Sequence, residues 1–163
     1  AVKRGESGSP GELRGDFDLT RDLGLLYANT ECGIFGVLPE ENRPEAVGEA
    51  IPVARRTEVR TGKAVILANC RGDEVCAYEI EIEKLYGGSA PTRNLLLRVT
   101  DPALIALTGG IVQGMSGSPI VQDGKLVGAV THVLLDDPQR GYGILAENML
   151  SASGMTAQSA ASA

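Results

Sequence analysis

The sequence predicts a mainly β protein with short helices. Glycine is frequent, with 21 residues in a chain of 163, and aromatic side chains make up only 4%. Short apolar runs of strand length recur along the chain and are separated by turn-forming residues. Hydrophobic residues make up 43% of the chain, which is enough for one domain with a real core. We expect this domain to cover residues 1–150 and a flexible tail to cover residues 151–163.

Four strands are predicted in the first hundred residues, at residues 32–38, 63–69, 77–85 and 94–100. The third strand shows the clearest alternation. Tyr78, Ile80 and Ile82 fall on one face, and the intervening positions 79, 81 and 83 are all glutamate. A strand with this pattern packs one face on the core and leaves the other in water.

A short helix is predicted after the fourth strand. Asp101 is a favourable N-cap, Pro102 suits the first helical position, and Gly109 or Gly110 suits the end of the helix. The pattern therefore predicts a helix over Pro102–Thr108.

A β-hairpin follows, with strands at residues 118–122 and 125–135 around the turn pair Asp123-Gly124. Counting outward from this turn puts Ser118 opposite Ala129 and Ser116 opposite Thr131. Residues 141–145 predict a further strand, and residues 146–150 a short helix. The segment between these strands, which includes Asp136 and Asp137, reads as a solvated loop.

Composition excludes several functional classes. A net charge of -6 argues against a nucleic-acid partner, because binding to phosphates needs a basic surface. The three cysteines lack metal-ligand spacing and there is one histidine, so no metal or cofactor is expected. A disulfide between Cys70 and Cys76 stays open. The chain has no run of 18 apolar residues and no signal peptide, and its polar start predicts that it begins within a larger protein.

The stretch "GMSGSP" at residues 114–119 holds the main functional candidate. Ser116 is either part of a Gly-Ser turn or a nucleophile. A nucleophilic serine needs a base and donors for the oxyanion, and the Gly114 and Ser116 amides could supply those donors. The pattern is not the G-x-S-x-G elbow of α/β-hydrolases, because a strand rather than a helix follows the serine.

The segment "GGIVQGMSGSPIVQDGKLVGAVTHVLLDDPQRGYGI" closely resembles the peptidase domain of the stage IV sporulation protein B family of serine peptidases. "GSPGELRG", "NTECGIFG", "EIEIEKL" and "VTDPALI" resemble that family in the same order, so the resemblance covers about residues 8–150. The family is taken to be a distant relative of chymotrypsin-like peptidases. The resemblance therefore implies a partial chymotrypsin-like double β-barrel whose N-terminal strands are missing.

The resemblance also implies roles for individual residues. Ser116 would be the nucleophile, and the Gly114 and Ser116 amides would be the oxyanion donors. Thr131, His132 and Val133 would form the edge that holds an extended peptide. Asp101 matches an aspartate that the family implicates in activity, although its position as an N-cap explains it equally well.

The general base is the main departure from the family pattern. The family's catalytic histidine lies N-terminal to the "PGEL" motif, and that segment has no counterpart here. The chain alone is therefore expected to be inactive unless another polypeptide supplies the histidine. His132 is a possible substitute, but strand alternation turns it away from the site if Thr131 faces Ser116, so a structural or substrate-side role is favoured.

The resemblance implies a protein or peptide substrate, namely a membrane-associated signalling partner in spore formation. It places the intact protein, with a membrane anchor and a PDZ domain upstream, on a membrane or in the space between mother cell and forespore. Two other hypotheses stay open. One is a non-catalytic peptide-binding module that uses the edge at Thr131 to Val133. The other is self-association through unpaired strand edges.

Overall fold

The computed structural model describes residues 1–16, 18–46, 48–72, 74–87 and 90–154. The early strands are β1 (Val2–Lys3), β2 (Glu12–Leu13), β3 (Leu25–Thr30) and β4 (Gly33–Val37). The later strands are β5 (Gly62–Arg71), β6 (Glu74–Leu85), β7 (Leu95–Val99), β8 (Pro119–Gln122), β9 (Lys125–Leu134) and β10 (Asp137–Leu145). The helices are α1 (Pro102–Thr108) and α2 (Ala146–Ala152), and single 3₁₀ turns lie at Glu40–Asn42 and Arg56–Glu58.

Strands β5 to β10 close into an antiparallel barrel in the order β10-β7-β6-β5-β8-β9. The prediction of a mainly β chain with a barrel and short helices is confirmed. Within the described residues one barrel is closed, and the hairpin β3–β4 forms a separate two-stranded sheet outside it.

The barrel interior is filled by branched aliphatic side chains. The alternation predicted for β6 is confirmed, because Tyr78, Ile80 and Ile82 are buried and the intervening glutamates face outward. The same period of two in β7 buries Leu95 and Leu97 completely and leaves Leu96 on the outer face. The large side chains that are fully buried in the barrel strands include Ile66, Ile80, Ile82, Leu95, Leu97, Ile120 and Ile144.

The predicted hairpin β8–β9 turns at Asp123-Gly124, with φ values of 52° and 73°. The predicted register holds next to the turn, where Gln122 pairs with Lys125. It then slips by one residue through a β-bulge, so that Pro119 rather than Ser118 lies opposite Ala129. The predicted pairing of Ser118 with Ala129 is therefore wrong by one residue.

A second bulge interrupts β9 where it pairs with β10. Tyr142 lies opposite His132, but the next residue, Gly143, lies opposite Val130. Thr131 is thus the extra residue of β9. Bulges of this kind re-aim the strand and are frequent beside active sites.

Several boundaries differ from the prediction. Asp137 is the first residue of β10 instead of lying in a loop, because its backbone pairs with Leu134 at the end of β9; its side chain also forms an ion pair with Arg140 at 3.7 Å. Residues 151 and 152 complete α2, and residues 155–163 of the predicted tail lie outside the described residues.

Cys70 and Cys76 are both free thiols, as is Cys32.

The hairpin β3–β4 exposes apolar side chains on a two-stranded sheet. Leu25 is 76% exposed, Ile34 64% and Val37 60%. Its apolar side chains gain little from burial in this chain, and a two-stranded sheet alone is only marginally stable in water. This hairpin is therefore suited to being covered by further polypeptide.

We expect the isolated chain to self-associate through this hairpin. Light scattering should show an average mass that rises with protein concentration. Leu25→Lys combined with Val37→Lys places charges on a directly opposed pair of the hairpin and should return the chain to a monomer. Val75→Lys, at a 43% exposed position in β6, is the matched control and should leave association unchanged. A strict monomer at high concentration would contradict this expectation.

Candidate active site

Ser116 lies at the top of a tight turn that joins α1 to β8. Gly114 and Gly117 flank the turn with φ values of 97° and 91°, which side chains other than glycine rarely adopt. Between them, Met115 is completely buried in the core. Its N–H donates to Val112 O at 3.1 Å, and its carbonyl accepts from Ser118 N at 2.9 Å. The buried methionine anchors the turn and leaves Ser116 exposed next to it.

The hydroxyl of Ser116 donates to the backbone carbonyl of Thr131, with an O···O distance of 3.1 Å. The neighbouring Gly117 N–H donates to Val130 O at 2.8 Å, so two hydrogen bonds tie the turn to β9. Thr131 is the bulged residue, and its own hydroxyl donates to Tyr142 O at 3.1 Å. Ser116 and Thr131 thus come together as the hairpin argument predicted, despite the shifted register.

The amides of Gly114 and Ser116 have no hydrogen-bond acceptor among the described residues, whereas the intervening Met115 amide is bonded. Free N–H groups on a turn beside a serine hydroxyl are suited to receiving an anionic oxygen. This arrangement supports the predicted role of Gly114 and Ser116 as oxyanion donors, which stays a prediction.

The N-terminal segment supports the turn from outside the barrel. Leu13 N donates to Gln113 O at 2.7 Å, and Gln113 N donates to Gly11 O at 2.9 Å. A side chain at position 114 would place its Cβ 2.9 Å from the Cβ of Leu13, so the fit is close. Sequence reasoning missed this support, because the "PGEL" motif at residues 10–13 marks the segment without indicating that it packs against Gly114.

Strand β9 has a free side next to Ser116. Pairing with β8 ends where Pro119 meets Ala129, and the part of β9 beyond Val130 pairs only with β10 within the described residues. Thr131, His132 and Val133 lie on this stretch. A strand with one unpaired side is the usual place for an extended peptide to add.

His132 is exposed and lies opposite Tyr142 on β10. No hydrogen bond or ion pair in the described part of the chain joins it to Ser116. Strand alternation predicts that His132 and Thr131 point to opposite faces of β9. This prediction is wrong, because the bulge at Thr131 interrupts the alternation. Val130 and Val133, three residues apart, both pack on the core, so Thr131 and His132 both fall on the other side.

Asp101 caps α1, as predicted. Its carboxylate accepts from Ala103 N at 2.8 Å, from Leu104 N at 3.0 Å and from Glu79 N on β6 at 3.2 Å. Gly109 ends the helix in the left-handed conformation. Partial burial acts to raise the pKa of the Asp101 carboxyl, but the three N–H donors outweigh it and hold the pKa below its ordinary value of 3.8.

The described residues therefore bring Ser116, the Gly114 amide and Thr131 together, while His132 and Asp101 form no bond with Ser116. The barrel and its exposed serine turn, together with a family match, support a serine-type protease domain. The chain belongs to the SpoIVB peptidase S55 family, whose family model matches residues 1–150.

Two solved structures of a protease have a similar fold. The active form of the Rv3671c protease from M. tuberculosis matches with a TM-score of 0.54 and 21% identity. The match covers 82% of this chain and 59% of that chain, so the present chain spans less than two thirds of its length. The inactive form matches with a TM-score of 0.53 and 21% identity, over 80% of this chain and 67% of that one. No curated protein shows a significant sequence match.

Gly114→Ala should disturb the oxyanion donors with little effect elsewhere. The added methyl group meets Leu13 and the positive φ disfavours it, so the amide is displaced. We expect the rate at which a fluorophosphonate labels Ser116 to fall about 100-fold in a longer chain that includes the family's histidine segment. Gly124→Ala carries similar backbone strain at the hairpin turn and should label normally. Equal rates for both variants would exclude the Gly114 amide as a donor.

Asp101→Ala, which removes the capping oxygen, should reveal whether the cap is the main role of this residue. A carboxyl with a lowered pKa stabilises the fold at pH values above its unfolded pKa, and the benefit is lost as the pH falls through the folded pKa. Urea unfolding should show wild type more stable by about 1 kcal/mol at pH 7, with the difference shrinking below about pH 4. Asp136→Ala, on the exposed turn between β9 and β10, is the control and should leave the free energy of unfolding unchanged.

A different outcome would assign Asp101 to catalysis. In that case Asp101→Ala would abolish labelling of Ser116 in the longer chain at neutral pH without a comparable loss of unfolding free energy.

Proposed function

We propose that this chain is part of a serine endopeptidase that acts through an acyl-enzyme with Ser116 as nucleophile. The observation that carries the proposal is the exposed Ser116 hydroxyl on a rigid turn with two free amides beside it. Membership of a peptidase family supports the same chemistry.

The proposed reaction begins when a base removes the proton of the Ser116 hydroxyl. The oxygen then attacks the carbonyl carbon of a peptide bond, and the resulting oxyanion accepts from the Gly114 and Ser116 amides. When the C–N bond breaks, the amine leaves with the proton from the base and the acyl group stays on Ser116. Water then adds by the same route, releasing the acid and restoring the hydroxyl.

The hydroxyl must first leave the carbonyl of Thr131, because a backbone carbonyl accepts the hydrogen bond but cannot take the proton. This movement requires rotation about one side-chain bond. The carbonyl of Thr131 then becomes available to a peptide that adds along β9, so substrate binding and release of the hydroxyl would support each other.

The proposed base is a histidine that lies N-terminal to the "GSPGELRG" motif in the intact protein. Among the described residues the single imidazole, that of His132, makes no bond with Ser116. The exposed apolar hairpin β3–β4 suits a surface on which strands carrying this histidine would pack. On this proposal the present chain alone has little or no activity.

The proposed substrate is a protein or peptide, and its finer identity follows the family. We propose a membrane-associated signalling protein, cut during spore formation in the space between mother cell and forespore by an intact peptidase that is membrane-anchored or secreted there. None of the helices in the described ranges is long and apolar enough to cross a membrane.

A second candidate function is a peptide-binding module without catalysis, which would use Thr131, His132 and Val133. The observation that favours it is the hydrogen bond between the Ser116 hydroxyl and the Thr131 carbonyl, which involves no base. Such a module would bind peptides equally well after Ser116→Ala.

Fluorophosphonate labelling tests the peptidase. In a longer chain with the histidine segment, the reagent should modify Ser116, and Ser116→Ala should abolish both labelling and cleavage. Ser118→Ala, two residues away on the same segment, is the matched control and should keep both. His132→Ala should also keep labelling, because this imidazole is not the proposed base.

No labelling of Ser116, together with cleavage that survives Ser116→Ala, would overturn the proposed nucleophile. Peptide binding without any proteolysis in the full-length protein would favour the binding module instead.

A further inference from the structure

The outer face of the barrel next to the free stretch of β9 carries a cluster of aromatic and basic side chains. The Tyr86 and Tyr142 rings lie with their centroids 6.2 Å apart. The Lys84 ammonium lies 4.9 Å from the centroid of the Tyr86 ring, and the Arg93 guanidinium lies 5.4 Å from that of Tyr142. We call these four residues the aromatic–basic patch.

Strand register places this patch and His132 on one face. Leu96 lies between the fully buried Leu95 and Leu97, so it faces outward. Lys84 on β6 and Tyr142 on β10 are the direct partners of Leu96 from either side. Tyr142 is in turn directly opposite His132 on β9. The patch is therefore continuous with the stretch of β9 beside Ser116.

The two cations of the patch have no acidic partner within the described residues. This distinguishes them from two arginines on the same side of the barrel. Arg98 is bound by Glu81 at 2.8 Å and Glu83 at 3.0 Å, and Arg140 is bound by Glu83 at 3.0 Å. Lys84 and Arg93 are exposed basic side chains in a chain whose net charge is -6.

We propose that the aromatic–basic patch is a specificity subsite that accepts an acidic side chain of the peptide substrate. The inference rests on the proposed function, in which an extended peptide pairs with Thr131, His132 and Val133. Such a peptide sends alternate side chains over the outer face, where His132 and Tyr142 lie. A carboxylate that reaches across His132 would approach Arg93, which lies over the Tyr142 ring, and Lys84 on β6 adds positive charge further along the same face.

The chemistry of the patch favours an acid over other side chains. A basic side chain is repelled by the two uncompensated cations, and an aliphatic side chain cannot form an ion pair with them. Exposed charge pairs contribute modestly, so the selectivity should be a few-fold and should fall with added salt.

Internally quenched octapeptides with one position fixed as Glu, Gln or Lys, and the other positions randomised, test the proposal on the intact peptidase. Moving the fixed position along the peptide should reveal one site, within three residues of the cut, where kcat/KM for Glu exceeds that for Gln about fivefold. Arg93→Gln should reduce this ratio towards one. Arg93→Glu should reverse it and favour Lys, which a merely structural role of Arg93 would not do.

Arg98→Gln is the matched control, because its charge is already neutralised by Glu81 and Glu83. It should keep the wild-type ratio. Cleavage with equal rates for Glu and Gln at every position would contradict the proposed subsite but not the proposed peptidase function.

A binding experiment separates this proposal from the proposed catalysis. The Ser116→Ala form of the intact protein is applied to an array of the same octapeptides without the quencher pair. Stronger binding to Glu than to Gln peptides, lost in Arg93→Gln, would support the subsite even if no cleavage is ever found. Equal binding to both peptides would overturn it.

Discussion

The burial of one side chain, Met115, anchors the turn that carries Ser116. Its neighbours Gly114 and Gly117 take backbone conformations that bring the chain into the core and out again within a few residues. The methionine fills the barrel interior, so the serine beside it has to face water. The position of the nucleophile thus derives from the packing of Met115 in the core together with the hydrogen bonds that tie the turn to β9.

The barrel also separates the charges around the site. On one part of its outer surface, glutamates of β6 neutralise the arginines of β7 and β10 in a connected network. On the adjoining part, Lys84 and Arg93 lie over tyrosine rings and have no acidic partner in the described part of the chain. A protein that is acidic overall therefore presents a local positive surface where the proposed substrate would lie. Its charge pattern, not its net charge, is the property relevant to recognition.

Local signals in the sequence were sufficient for many of the elements. The Asp101 cap, the Asp123-Gly124 turn and the alternation in β6 each depend on neighbouring residues, and each was predicted correctly. The hairpin β3–β4 was only half predicted, because Leu25 and Leu26 in β3 show no alternation of apolar and polar residues. Leu25, Ile34 and Val37 on this hairpin stay exposed within the described residues.

Other features depend on pairings between distant parts of the chain. The two bulges of β9 lie in its pairings with β8 and β10, so counting from the turn predicts the right neighbourhood for Ser116 but the wrong partner for Ser118. The support of Gly114 by Leu13 joins residues 101 positions apart, and no local pattern encodes it. Which amides of the turn stay free likewise depends on tertiary structure. The amides of Met115, Gly117 and Ser118 reach backbone carbonyls, and those of Gly114 and Ser116 do not.

The bulge at Thr131 limits how the length of this segment can change during evolution. In an unbroken strand, loss of a residue exchanges the inner and outer faces of everything beyond it. Deleting one residue at positions 131–132 would straighten β9 but would move the carbonyl that receives Ser116. A single-residue deletion here should therefore be more damaging than most substitutions at the same positions, whereas the hairpin turn at Asp123-Gly124 can gain residues without altering the site. The spacing between Ser116 and Thr131 is thus a more demanding criterion than residue identity for recognising relatives that share this site.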